Sequence, residues 1–81
     1  MDTFLAFQCD REGDTLYINT RPPYAEQESE ELGNDVIARF NPTTGEIENL
    51  EILFFSSRLL RSSLFELPVS AHLQPVSASR R

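Results

Sequence analysis

Residues 34–55 read NDVIARFNPTTGEIENLEILFF, and the fold turns on how this stretch is read. Apolar and polar side chains alternate on the way in, with Val36, Ala38 and Phe40 on one face and Ile37 and Arg39 on the other. A period of two is the signature of a strand. Asn41-Pro42-Thr43-Thr44-Gly45 follows. Asn first, Pro second and Gly last predict a type I turn closed by a glycine in the left-handed region. The chain then returns as a strand over residues 46–55. Ile47, Asn49, Glu51, Leu53 and Phe55 share one face, and Glu48, Leu50, Ile52 and Phe54 the other. The second half of this strand is apolar on both faces, so the stretch reads as a β-hairpin whose return strand needs cover on two sides.

Upstream, TFLAFQC (3–9) is long enough for one strand, with Phe4 and Ala6 facing one way and Leu5 and Phe7 the other. DREGD (10–14) is turn chemistry, and TLYINT (15–20) is β-prone and alternating. Together they make a first hairpin. Arg21-Pro22-Pro23 ends it, because adjacent prolines remove backbone donors. YAEQESEELGN (24–34) has no clear period and reads as an irregular or polar edge segment, with a short helix over 25–32 as the competing reading. Downstream, Ser56-Ser57 is a candidate N-cap for a short helix over Arg58–Glu66. Its apolar stripe would be Leu59, Leu60, Leu64 and Phe65, with Arg58, Arg61 and Ser62 outside. Pro68 stops it, and VSAHLQPVSASRR (69–81) reads as a mobile tail, with packing or a brief strand over Val69–Leu73 as the competing reading.

The expected fold is α+β and mostly β. It is an antiparallel meander of about four strands in two hairpins, with one short C-terminal helix. Residues 1–67 form a single β-rich domain and 68–81 a flexible tail.

At 81 residues the chain holds one small core. Cys9 is the only cysteine, so no internal disulfide staples it, and a lone thiol suits a reducing interior. Cysteine and histidine are too few for a structural zinc site. Self-association is the remaining common route to stability. Met1-Asp2-Thr3-Phe4 carries no basic segment and no long apolar run, and Ile52–Phe55 is too short to span a bilayer. The expectation is a soluble cytoplasmic protein without membrane contact.

The net charge is −6, unevenly spread. Residues 1–55 hold twelve acids and three arginines, and residues 56–81 hold four arginines and one acid. There is no lysine. An acidic body repels phosphate backbones, so nucleic acid is not an expected partner, although Arg58, Arg61, Arg80 and Arg81 offer a weak third reading. The basic end suits the acidic body, a second subunit or an acidic partner, against the plainer reading of a solvated tail.

Motifs for chemistry are thin. Asp10, Glu12 and Asp14 alternate as in calcium loops, but Gly13 stands fourth where such loops need glycine sixth, and Arg21 occupies the twelfth position. Glu46 and Glu48 read as solvated strand residues. Glu51, between Leu50 and Ile52, needs a partner if buried, and Arg39 on the preceding strand is the candidate for a structural ion pair. Cys9 and His72 are each single and far apart in the chain, which argues against a thiol–imidazole dyad. No serine-hydrolase turn, phosphate loop or dinucleotide fingerprint is present. No catalytic, cofactor or metal residue is assigned.

DREGDTLYI (10–18) and NDVIARFNPTTGEIENLEIL (34–53), separated by an acidic stretch, resemble the small bacterial domain of unknown function numbered 2283 over about residues 4–55. That family's first turn carries an Asp-rich pattern and a Leu-Tyr pair, matched by Asp10, Asp14, Leu16 and Tyr17. Its Gly-turn and a glutamate inside the last strand are matched by Gly45 and Glu51. Cys9-Asp10 stands where Tyr-Asp is frequent, and Asn49 stands nearest a glycine that is common before the last apolar run. The resemblance implies an antiparallel β-rich fold and no activity. Some members are encoded beside small toxin-like proteins, which implies by analogy an antitoxin-like or partner-binding role.

Strands apolar on both faces at the edges of a simple meander would leave apolar surface and unpaired backbone open. Barrel closure, rearranged strand order or dimerisation would solve this. The favoured reading is a homodimer, with Phe4, Phe7, Leu53, Phe54, Phe55 and Leu59 at the seam. The leading functional expectation is a non-catalytic interaction module that self-associates and binds a small basic protein. The alternative is a small hydrolase or metal-dependent enzyme using Glu51 with Asp10 or Asp14.

Overall fold

The structure is a computed structural model that describes residues 4–62 and 64–76. It consists of strands β1 (Ala6–Asp10), β2 (Thr15–Asn19), β3 (Glu28–Gly33), β4 (Val36–Phe40) and β5 (Ile47–Leu53), followed by helix α1 (Phe55–Arg61). The five strands form one antiparallel sheet in the order β1-β2-β5-β4-β3.

The order departs from a simple meander. The last strand does not lie at an edge; it pairs with β2 on one side and β4 on the other. This rearranged order meets the demand of a strand apolar on both faces without closing a barrel. The strand beyond the expected four, β3, lies in the segment that sequence periodicity left undecided. β3 reads ESEELG, with only Leu32 packing against the core, and alternation cannot be seen in so polar a run. Its turn is legible in retrospect. Asn34 and Asp35 have φ of 58° and 62°, a two-residue hairpin loop of the type that matches strand twist. Gly33, just before it, has φ of 101°.

The register sorts the side chains into two layers. Phe7, Ile18, Leu50 and Ala38 line up across one face, as do Cys9, Leu16, Ile52 and Val36. Ala6, Asn19, Asn49 and Arg39 line the other, as do Gln8, Tyr17, Glu51 and Ile37. Val36, Ala38, Leu50 and Ile52 are the buried hydrophobic centre of the first layer, with Leu16, Ile18, Leu32 and Phe40 around them. Phe55, Phe65, Leu67 and Val69 pack over this layer. The cover thus comes largely from irregular chain beyond the helix, and Val69 in the expected tail belongs to the packed part.

Helix α1 starts three residues earlier than expected, and Ser56 and Ser57 lie inside it. Phe54 takes the N-cap position in the left-handed conformation, φ 55° and ψ 44°, with no side-chain cap of its own. The cap comes from Asp14 of the first turn, whose two carboxylate oxygens accept from the Ser56 amide (3.0 Å) and the Ser56 hydroxyl (2.8 Å). A carboxylate at a helix N-terminus satisfies an orphan donor and opposes the helix dipole.

The early start resets the helical phase. Phe55 turns toward the core, and the residue three positions on is Arg58, so Arg58 is buried at 7% exposure. Its guanidinium lies 4.4 Å from the centre of the Phe65 ring, and its Nε has no hydrogen-bond partner among the described residues. Leu59, Leu60 and Leu64 are exposed, Leu60 at 89%. The expected pattern is reversed at Arg58, which is in, and at Leu59, Leu60 and Leu64, which are out, while Phe65 packs inward and Arg61 and Ser62 stay exposed. The helix also ends at Arg61, before Leu64 and Phe65 can join it.

Ile52, fully buried in the central strand, tests the fold directly. Ile52→Ala is expected to lower stability by roughly 3 kcal/mol, because a small core cannot collapse around the cavity. Urea denaturation of the variant against the parent checks this.

Candidate functional site

Two regions concentrate the notable side chains of the fold, and they have opposite character. One is a polar hub at the start of β5. The other is an apolar surface running from β1 to the C-terminal segment.

The hub is built on a β-bulge. Arg39 faces Asn49 and Phe40 faces Ile47, so Glu48 is an extra residue in β5. A bulge bends the strand and re-aims its side chains. Here Gln27 Nε2 reaches both residues, donating to Glu48 Oε1 at 3.0 Å and Asn49 Oδ1 at 2.7 Å. Tyr24 Oη donates to Glu48 Oε1 at 2.7 Å, Asn41 Nδ2 donates to Oε2 at 3.1 Å, and Arg21 lies 3.7 Å from Oε2. Asn49, 2% exposed, donates to Asn19 Oδ1 at 2.8 Å and to the Arg21 carbonyl at 2.7 Å. These bonds fasten the 20–27 connection and the Asn41–Gly45 turn to the central strand. Arg21 also stacks 4.5 Å above the Tyr24 ring.

Glu48 is therefore no solvated strand residue; its side chain is 12% exposed. Hydrogen bonds from Gln27 and then Tyr24, with Asn41 and Arg21 adding, hold its carboxyl below the ordinary 4.5 against the opposing push of burial. Tyr24 is correspondingly raised above 10.0, chiefly because its ionisation would give up the bond to Glu48. A carboxylate surrounded only by donors is a fastening point. Beside the bulge stands Asn49, whose side chain bonds Gln27, Asn19 and Arg21. The only sequence signal for the hub is its crowd of amide and carboxylate residues, and Tyr24 and Gln27 lie more than twenty positions from the Glu48 and Asn49 groups they bond.

The other carboxylates have separate structural partners. Glu51 Oε2 accepts from Arg39 Nε and lies 2.7 Å from Nη2 on the open polar face. Asp10 Oδ1 accepts from the Glu12 and Gly13 amides of its own turn. Asp14 caps the helix. The three do not converge on a shared space. Among the described residues, no group of three or more His, Cys, Asp or Glu is placed to hold a metal ion.

The Asn41–Gly45 turn closes with Gly45 at φ 76°. Asn41 Oδ1 accepts from the Thr43 and Thr44 amides, at 2.8 and 3.0 Å.

The apolar surface divides in two. Leu5, Phe7, Ile47 and Leu73 border a cleft of about 400 Å³ between the β1–β2 edge and the 67–73 segment, with Leu67 and Val69 inside it. Phe7 is 63% exposed. Phe54, Leu59, Leu60 and Leu64 are exposed around the helix. Of the six seam candidates, Phe4, Phe7, Phe54 and Leu59 are exposed, Leu53 is half-buried, and Phe55 turns inward to pack on the core. Cys9 is exposed on β1, and His72 contacts Gln74. Arg61 is exposed, Arg58 is withdrawn, and Arg80 and Arg81 lie outside the described residues. Among the described residues, no helix is long and apolar enough to cross a membrane.

Comparison with protein families matches residues 9–56 to the family described as "Protein of unknown function (DUF2283)". Comparison with curated proteins and with solved structures finds no match.

Two measurements probe the hub. Asn49→Ala strands Asn19 Oδ1 and the Arg21 carbonyl and leaves Gln27 Nε2 only its Glu48 acceptor, and is expected to lower stability by about 2 kcal/mol, read from the urea midpoint. Glu48 is held below its ordinary value, so its contribution is present at neutral pH and is lost as pH falls below 4.5 toward the folded-state value. Glu48→Gln turns an amide toward surrounding donors. The variant is expected to melt at lower temperature at pH 7, and to show a shallower loss of melting temperature on acidification than the parent.

Proposed function

The chain belongs to the DUF2283 family of proteins of unknown function, and from that starting point we propose that it is a non-catalytic interaction module that self-associates. The observation that carries this reading is the incomplete cover of the apolar layer. The row that buries Ala38 and Leu50 continues through Ile18 to Phe7, where it ends exposed at the sheet edge. Among the described residues, only four hydrophobic residues are buried in the core cluster.

Against a hydrolase stands the separation of the carboxylates, each held by a different structural partner.

A small basic protein is the second reading, favoured by Glu28, Glu30 and Glu31, all exposed on β3. The antitoxin-like role that the family suggests belongs here, by analogy alone.

Light scattering coupled to gel filtration tests self-association. A species of twice the 9.3 kDa chain mass is expected at micromolar concentration. A monomer throughout that range overturns the reading.

A further inference from the structure

We propose that the β1 edge is the self-association surface, and that two copies pair their β1 strands antiparallel about a two-fold axis at Phe7, fusing their sheets into one. The inference rests on the self-association reading and adds its geometry.

The backbone decides which groups are on offer. The Thr20 amide donates to the Glu48 carbonyl, so even-numbered residues of β2 direct their backbone polar groups at β5. The Leu53 amide donates to the Asp35 carbonyl, which gives the same phase from the other side of β5. Alternation in antiparallel ladders then turns Thr15, Tyr17 and Asn19 toward β1, opposite Asp10, Gln8 and Ala6. The N–H and C=O groups of Leu5, Phe7 and Cys9 are left facing outward. Among the described residues β1 pairs only with β2.

The two sheet edges differ sharply. A second copy pairing through β3 would bring Glu28, Glu30 and Glu31 against one another, and like charges directly opposite are destabilising. Residues 4–9 of the β1 edge, FLAFQC, carry no charge. This lets an acidic chain meet itself here. Centring on Phe7 places Phe7 against its own copy and Leu5 against Cys9, all on the apolar face. It leaves Asp10 and Arg11 beyond the apolar pairs. The two Phe7 rings would lie side by side over the seam, extending the core row Phe7–Ile18–Leu50–Ala38 into the partner. Aromatic cross-strand pairs are favourable in this position.

Engineered cross-linking reads out the register. Leu5→Cys sets a thiol opposite Cys9 of the other copy at a Cα separation of about 5.5 Å, within disulfide reach. Within one chain the same two residues are roughly 13 Å apart along the strand, too far to bridge. With oxidised glutathione, Leu5→Cys is expected to give a covalent dimer, and Leu5→Cys with Cys9→Ser none. The parent, with Cys9 alone, should remain uncross-linked. Phe7→Lys, at an exposed position, is expected to weaken dimerisation by at least about a hundredfold in light scattering while circular dichroism stays unchanged. A dimer that survives Phe7→Lys and fails to cross-link through Leu5→Cys overturns the edge pairing but leaves self-association standing. Direct Cys9–Cys9 linkage in the parent overturns the register. A monomeric parent removes both this inference and the reading beneath it.

Discussion

The sheet depends on β5 being paired along both edges. A strand that presents Leu50, Ile52 and Leu53 on two faces is stable only in the middle of a sheet, and the β2–β5 ladder puts it there. The two amino-terminal strands therefore act as a lateral cover for the hairpin that follows them. The connection from Thr20 to Gln27 spans this junction, and Glu48 and Asn49 hold it in place through side-chain hydrogen bonds. Because Glu48 is the extra residue of a bulge, it and Asn49 can be grasped together by Gln27.

Much of this was legible in the sequence. The hairpin over 34–55, its turn, the first hairpin and the mostly β class all follow from period-two alternation and turn chemistry. What escaped did so for identifiable reasons. β3 has a glutamate-rich sequence with one core residue, so pattern carries almost no information about it, and a neighbouring strand organises it instead. The β2–β5 pairing is a long-range choice that no local signal encodes. The hub was invisible because Tyr24, Gln27, Asn41 and Glu48 each look like ordinary surface residues until the bulge brings them together.

The helix shows how a small shift in start point reverses a burial pattern. Ser56 and Ser57 are good caps by composition, yet the cap is Asp14, from the turn that leads into the adjacent strand. Once Phe55 is anchored inward, spacing alone sends Arg58 after it and leaves Leu59 and Leu60 in solvent. Phe54 is held in a left-handed conformation that costs a non-glycine residue about 1–2 kcal/mol, sustained by the Asp14 clamp. The exposed phenylalanine and leucines around α1 are thus a product of backbone anchoring, where sequence periodicity alone would have buried them.

The acidic β3 edge has a consequence for stoichiometry. A sheet that can add strands at both margins polymerises, since each addition regenerates a free margin. Here one margin is uncharged and the other bristles with Glu28, Glu30 and Glu31. Growth through the proposed two-fold contact at the uncharged margin would use it up in both copies and leave only repelling margins outside, so strand addition would stop at two chains.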